Sequence, residues 1–128
     1  MKQHVLLIDD DEDEMTILFE ALRDAGIDQK CTWAHDVDHA LKMLPYLRPE
    51  IIFIDLNMPV TNGLEGIRLI RALPGFKETP VILYSTHIET KRAEALQAGA
   101  DYCIKKPSSI EELTAVVADL FRHIGSGT

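Results

Sequence analysis

The sequence predicts an α/β fold in which a parallel sheet is wrapped by helices on both faces. Three observations carry that prediction. Five short β-type runs alternate with five stretches of helical apolar spacing along 128 residues, and right-handed crossovers turn such alternation into parallel pairing. The run Ile51-Ile52-Phe53-Ile54 contains no polar side chain, as in strands buried on both faces. Four of the five runs end in polar or charged residues, at the carboxyl edge where open α/β sheets keep their sites.

The elements follow in order. His4-Val5-Leu6-Leu7-Ile8 is a strand that runs into Asp9-Asp10-Asp11-Glu12-Asp13-Glu14. Met15, Leu18, Phe19, Leu22 and Ala25 then recur at helical spacing, with acids in the first turn to suit the helix dipole and Gly26 as the stop. Lys30 to Ala34 is the second strand. Asp36 caps a second helix lined by Val37, Ala40, Leu41 and Leu44, which Pro45 is expected to end or kink.

The third strand, Ile51–Ile54, delivers Asp55 and is followed by Leu56-Asn57-Met58-Pro59. Asn62-Gly63 marks a turn into a third helix, with Ile67, Ile70 and Leu73 on one face and Pro74-Gly75 as its end. Pro80 to Tyr84 is the fourth strand and leads to Ser85-Thr86. Glu89 to Ala98 is a weakly amphipathic helix closed by Gly99. Tyr102-Cys103-Ile104 is the fifth strand and leads to Lys105-Lys106-Pro107. Ser109-x-x-Glu112 is a capping-box pattern. It opens a helix with Ile110, Leu113, Val116, Val117, Leu120, Phe121 and Ile124 on one face. The expected organisation is one domain over 1–124 and a flexible tail over 125–128.

Composition narrows the function. A 46% hydrophobic and 27% charged chain is ordinary for a globular domain. No apolar run approaches the roughly 20 residues of a membrane span, and no signal-peptide pattern follows the N-terminus. The net charge of −8 argues against a nucleic-acid face, which is basic. Cys31 and Cys103 match no metal or redox spacing and read as small buried hydrophobes in a cytoplasmic protein. Trp33 reads as packing on the second strand.

If the first and third strands are neighbours, about 4.8 Å apart, Asp9, Asp10 and Asp55 share one small volume with Lys106. Three carboxylates against one ammonium leave two negative charges. That excess either raises a pKa or recruits a cation. Few protein oxygens are on offer, so the predicted cation is Mg²⁺ with water completing its shell. Asp55, held against a metal, a lysine and the Ser85 hydroxyl, has the surroundings of a nucleophile that attacks a phosphoryl group.

Taken together, Leu6-Leu7-Ile8-Asp9-Asp10, Asp55-Leu56-Asn57-Met58-Pro59 with Gly63, Ser85-Thr86, Ala98-Gly99-Ala100-Asp101 and Lys106-Pro107 resemble the receiver domain of two-component response regulators, over essentially the whole chain. The resemblance implies a flavodoxin-like three-layer fold with strand order 2-1-3-4-5. It implies a stand-alone signalling module that is not an enzyme and assists only its own phosphorylation and dephosphorylation. Asp55 would be the phosphoacceptor, charged by a phosphohistidine on a sensor kinase or phosphotransfer protein, and the signal would pass on to an unidentified protein target. Asp10, Asp55 and the Asn57 backbone carbonyl would ligate Mg²⁺, with Asp9 acting through water. Ser85 would turn toward the phosphoryl group and Lys106 would pair with it. Thr86 belongs to the same switch region, and the bond before Pro107 would be cis. His87 and Asn57 would flank the hydrolytic water and tune phosphoryl lifetime. Relatives usually carry Tyr or Phe three residues before the lysine. Here Cys103 holds that position and Tyr102 falls on the opposite strand face, so the readout is expected to rest on the Ser85 loop and the fourth helix.

Other readings are weaker. Asp9, Asp11, Asp13 and Glu20 occupy EF-hand positions, but Glu14 stands where the sharp turn needs Gly. A flavin carrier on this fold would need a Ser/Thr/Gly-rich phosphate cradle after the first strand, where six acids stand. An aspartyl-phosphate phosphatase would present Asp-x-Asp after its first strand. A receiver-like interaction module that is never phosphorylated remains the main alternative.

Overall fold

The computed structural model describes residues 3–126. Ten elements alternate without exception: β1 (Gln3–Ile8), α1 (Glu12–Asp24), β2 (Gln29–Ala34), α2 (Val37–Leu47), β3 (Ile51–Ile54), α3 (Gly63–Ala72), β4 (Val81–Ser85), α4 (Arg92–Ala98), β5 (Tyr102–Lys105) and α5 (Ile110–Ser126). The five strands form one parallel sheet of order β2-β1-β3-β4-β5. This is the flavodoxin-like topology that the family resemblance implied. Among the described residues no helix is long and apolar enough to cross a membrane.

Strand alternation divides the core in two. Leu6, Ile8, Ile52, Ile54, Val81 and Leu83 join Val37, Leu44, Ile67, Ile70 and Ala95 on the side of α2, α3 and α4. Val5, Leu7, Ile51, Phe53, Ile82 and Tyr84 join Leu18, Leu22, Leu113 and Val117 on the side of α1 and α5. Both faces of β3 are therefore covered, which is why its four residues carry no polar side chain.

Helix starts follow the capping residues. Asp11, Asp36 and Asn62 each accept a backbone N–H from the following turn, from Asp13, His39 and Glu65 respectively. At α5 the Ser109 hydroxyl accepts from the Glu112 N–H at 3.1 Å. The first helix ends where Gly26 takes φ +77°.

The structure departs from expectation in four places. Pro45 does not end α2 at its own position, and the helix runs two residues further to Leu47. Proline lacks the N–H for the Leu41 carbonyl and its ring crowds that carbonyl, so it disturbs the turn before it and leaves the two residues after it free to stay helical. Arg48 then closes the helix with φ 48°, its N–H on the Leu44 carbonyl. The fourth helix begins at Arg92, not Glu89: residues 89–91 form a turn closed by the Lys91 N–H on the Ile88 carbonyl, and the Glu89 carboxylate is paired with Lys105 at 2.9 Å. The last helix includes Gly125 and Ser126, assigned above to the tail, while residues 127–128 lie outside the described ones. No cis peptide bond occurs among the described residues, so the bond before Pro107 is trans, not cis. Trans is favoured at X-Pro by about 0.5–1 kcal/mol, and Lys106 reaches the acidic cluster from that backbone.

Candidate functional site

The site is assembled by the last rungs of the sheet. Just beyond the strand ends, the Asp9 N–H bonds Ala34 O on β2, the Asp55 N–H bonds Ile8 O on β1, and the Lys106 N–H bonds Ser85 O on β4. Each residue is thus fixed by the neighbouring strand, and the register Ile8 to Ile54 sets Asp9 beside Asp55. Asp9, Asp10 and Asp55 each place a carboxylate oxygen within 4.8 Å of the other two. Asp9 and Asp55 are buried while Asp10 is exposed. Asp10 opens onto a cleft of about 300 Å³ shared with His35, Asp36, Pro59 and Val60, so the cluster is approachable from solvent on that side.

Lys106 crosses from β5 to close the other side. Its ammonium lies 3.1 Å from Asp9 Oδ2 and 3.5 Å from Asp55 Oδ1. It also lies 3.7 Å from Glu14 Oε2, a partner that strand-end reasoning does not reach because Glu14 belongs to the first turn of α1. With Asp10 in the same cluster, four carboxylates share the site with one ammonium, one more than the sequence count assigned. The electrostatics agree. Burial holds the Asp9, Glu14 and Asp55 carboxyls above the usual carboxylate range, although Lys106 acts against the rise at all three. At Asp55 the Ser85 hydroxyl and the Leu56 N–H also favour the charged form. Burial pulls Lys106 down, but Asp55 and Asp9 outweigh it and its pKa is raised. The raised lysine reflects the acids around it, whereas the raised carboxyls reflect first their burial.

Two aromatic residues brace the cluster, and neither was singled out for it from sequence. The Trp33 indole N–H donates to the Asp9 backbone oxygen at 2.7 Å. Tyr84 is buried with its ring centroid 5.1 Å from the Lys106 ammonium and edge-on to Phe53. Burial raises the Tyr84 phenol, and the acids Glu14, Asp9 and Asp55 raise it further. Strand alternation is the available signal: a tyrosine immediately before the strand-end serine sits on the face that Lys106 and α1 share.

Gly63 is required by close approach. Its N–H donates to Leu56 O, and a Cβ there would collide with the Asp55 carbonyl oxygen and come within 2.9 Å of Leu56 Cα. The run Ala98-Gly99-Ala100-Asp101 has a structural role that its sequence does not declare. Arg71 on α3 donates to the carbonyls of Gly99, Phe76 and Thr79 and to Asp101 Oδ2. Asp101 Oδ2 also accepts the Val81 N–H, pinning the start of β4.

The remaining expected residues are dispersed as their strands dictate. Ser85 is buried toward Asp55, while Thr86 and His87 are exposed beyond it. Asn57 is exposed after Asp55. Cys103 packs with the α2, α3 and α4 side and Tyr102 with the α1 and α5 side, so Tyr102 does not stand in for an aromatic at 103. An all-oxygen donor set with excess negative charge fits a hard divalent cation such as Mg²⁺.

A family profile described as the response regulator receiver domain matches residues 5–118. The transcriptional regulatory protein PrrA of Mycobacterium bovis is 36% identical over 123 residues, which are 95% of this chain and 51% of that protein. The chain therefore spans about half the length of that curated relative. Among solved structures, the chemotaxis response regulator CheY4 of Vibrio cholerae is 29% identical with a TM-score of 0.78, covering 91% of this chain and 97% of that one. The receiver domain of the sensor histidine kinase PA1611 of Pseudomonas aeruginosa PAO1, solved with a magnesium ion in its active-site cleft, is 27% identical with a TM-score of 0.75, covering 91% and 94%. With a profile matched over most of its length and the acidic cluster and lysine at its strand ends, the chain belongs to the receiver domains of two-component response regulators.

Proposed function

We propose that this chain accepts a phosphoryl group on Asp55 from a phosphohistidine of a sensor kinase or phosphotransfer protein, and that it signals by changing its contacts with another protein. The observation that carries this is the placement of Asp55: a buried carboxylate within contact of one ammonium and two further carboxylates. A lone pair on an Asp55 oxygen forms the new O–P bond as the P–N bond to the donor imidazole breaks. The bonding pair returns to the imidazole nitrogen, and protons are exchanged with solvent. Lys106 neutralises oxygens of the incoming group, and the Ser85 hydroxyl donates to it.

Asp10, Asp55 and the backbone carbonyl of Asn57, with Asp9 acting through water, would hold Mg²⁺, which supplies charge neutralisation for the approach of a dianion. PA1611's receiver domain, with magnesium in its cleft, supports the same ion here. Exposed Asn57 and His87, which flank Asp55 and Ser85 in sequence, tune how long the phosphoryl group persists, and the readout rests on the loop of Ser85 and Thr86 and on α4, because Cys103 supplies no aromatic ring to the switch. The domain acts through proteins and not nucleic acid, in keeping with its net charge of −8. A cytoplasmic setting goes with its free cysteines.

The test is intact-mass analysis after incubation with acetyl phosphate and Mg²⁺. The expected result is a mass gain of one phosphoryl group in the wild type and none in Asp55→Asn. Equal labelling of Asp55→Asn sinks the assignment of the acceptor. No gain in a folded wild type favours the receiver-like module that is not phosphorylated.

A further inference from the structure

The Lys106 ammonium has three hydrogens to share, and three carboxylates stand within 3.7 Å of it. Two of them, Asp9 and Asp55, belong to the cluster whose oxygens lie mutually close; Glu14 is not part of that group. Glu14 thus meets the site through Lys106 and not through the cation-binding oxygens. Its carboxylate faces the Tyr84 phenol, whose pKa it helps to raise, and Tyr84 is buried in the core beneath, 1% exposed and edge-on to Phe53. With 21% of its side chain exposed, Glu14 is screened more than Asp9 and Asp55 but remains within ion-pair reach.

We propose that Glu14 is a positioning residue that draws the Lys106 ammonium away from Asp55, and so sets the rate at which Asp55 takes up a phosphoryl group. The inference rests on Asp55 being the phosphoacceptor. A phosphoryl oxygen arriving at Asp55 needs a share of Lys106, which donates a hydrogen bond to Asp9 at 3.1 Å and is drawn by the charges of both Asp55 and Glu14 within ion-pair distance. Of the three, Glu14 is the most distant and the most exposed, so it yields first. Its negative charge nevertheless opposes the transfer until it does.

The experiment follows phosphorylation by acetyl phosphate and Mg²⁺ as a time course by intact mass, over a range of donor concentrations. The proteins are wild type, Glu14→Gln, Tyr84→Phe and Glu12→Gln. Glutamine keeps an acceptor for Tyr84 and removes the charge. Glu12→Gln removes the same charge from the same helical turn, at a residue with no ion pair to Lys106 among the described residues. Glu14→Gln is expected to raise the limiting rate about three- to tenfold, the range of an ion pair between surface and core, with little change in the donor concentration at half-rate. Tyr84→Phe is expected to move the rate the same way by less, and Glu12→Gln to leave it near wild type. A Glu14→Gln rate equal to or below wild type overturns the inference, as does a matching gain in Glu12→Gln, which would mean general repulsion of the anionic donor. A folded wild type that takes up no phosphoryl group overturns the acceptor assignment first, and this inference with it.

Discussion

Replacing Lys106 with methionine tests the electrostatic account of the site most directly. Methionine keeps much of the length and apolar stem but removes the only cation within ion-pair distance of Asp9 and Asp55 among the described residues. The Lys106 side chain is 12% exposed and those of its partners 1%, 9% and 21%, so solvent screens these contacts little. At 3.1–3.7 Å each contact has a gross attraction on the order of 4–5 kcal/mol at an effective dielectric of about 20. Desolvation opposes much of that, and the net loss on removing one partner of a buried ion pair is about 3–5 kcal/mol. For a chain of this size, with roughly 2.1 cal/mol/K of unfolding entropy per residue, that loss is a fall of about 11–19 °C in Tm.

The loss should also depend on pH. Asp9, Glu14 and Asp55 already bind protons more tightly folded than unfolded, where carboxyls titrate at 3.8–4.5. Carboxyls with raised folded pKa values favour the fold below the unfolded range and lose that advantage as pH rises through the folded values. Without Lys106 those values rise further. The deficit of Lys106→Met relative to wild type is therefore largest near pH 7 and shrinks as pH falls toward 4, and Mg²⁺ recovers part of it at pH 7. Lys106 itself, raised from 10.5, contributes stability that is intact below 10.5 and lost only as pH passes its folded value, so it adds no slope in this window. Thermal unfolding of both proteins at pH 7 and pH 5, with and without Mg²⁺, measures all of this. A Tm change under about 4 °C at pH 7, or a deficit that grows toward acid, refutes the reasoning.

Two further predictions concern stability alone. Arg71→Ala leaves the carbonyls of Gly99, Phe76 and Thr79 and the Asp101 carboxylate without their shared donor, and is expected to lose roughly 2–4 kcal/mol in urea unfolding; a loss under 1 kcal/mol would show that water replaces the guanidinium freely. Val60 is fully exposed with φ 69°, a left-handed conformation that costs an L-residue about 1–2 kcal/mol and suits a β-branched side chain least. Val60→Asn is expected to stabilise the domain by about 1 kcal/mol in the same assay, and an unchanged or lower midpoint counts against strain at this turn.

Much of the fold is legible along the chain because its signals are local. The apolar run at 51–54, the caps at Asp36 and Ser109 and the stop at Gly26 each act within a few residues, and alternation then leaves few topologies. The strand order was reached from the family's motifs, not from periodicity, which cannot say which strand lies beside which. Helix ends were less legible where two local effects competed. Proline at 45 disturbs only the turn before it and lets two more residues stay helical, and Glu89 is paired with Lys105 in place of starting α4.

The candidate site divides in the same way. That Asp9, Asp55 and Lys106 stand at strand ends is a property of the sequence, since each directly follows an apolar run or its last rung. That Glu14 joins them, that Tyr84 and Trp33 support them, and that Arg71 binds the Asp101 turn are decided only when α1, α3 and the sheet pack together. Periodicity assigns a side chain to a face of its own element. Which charge it meets there depends on how far apart the packed elements lie, and that distance is set by the side chains of the whole core.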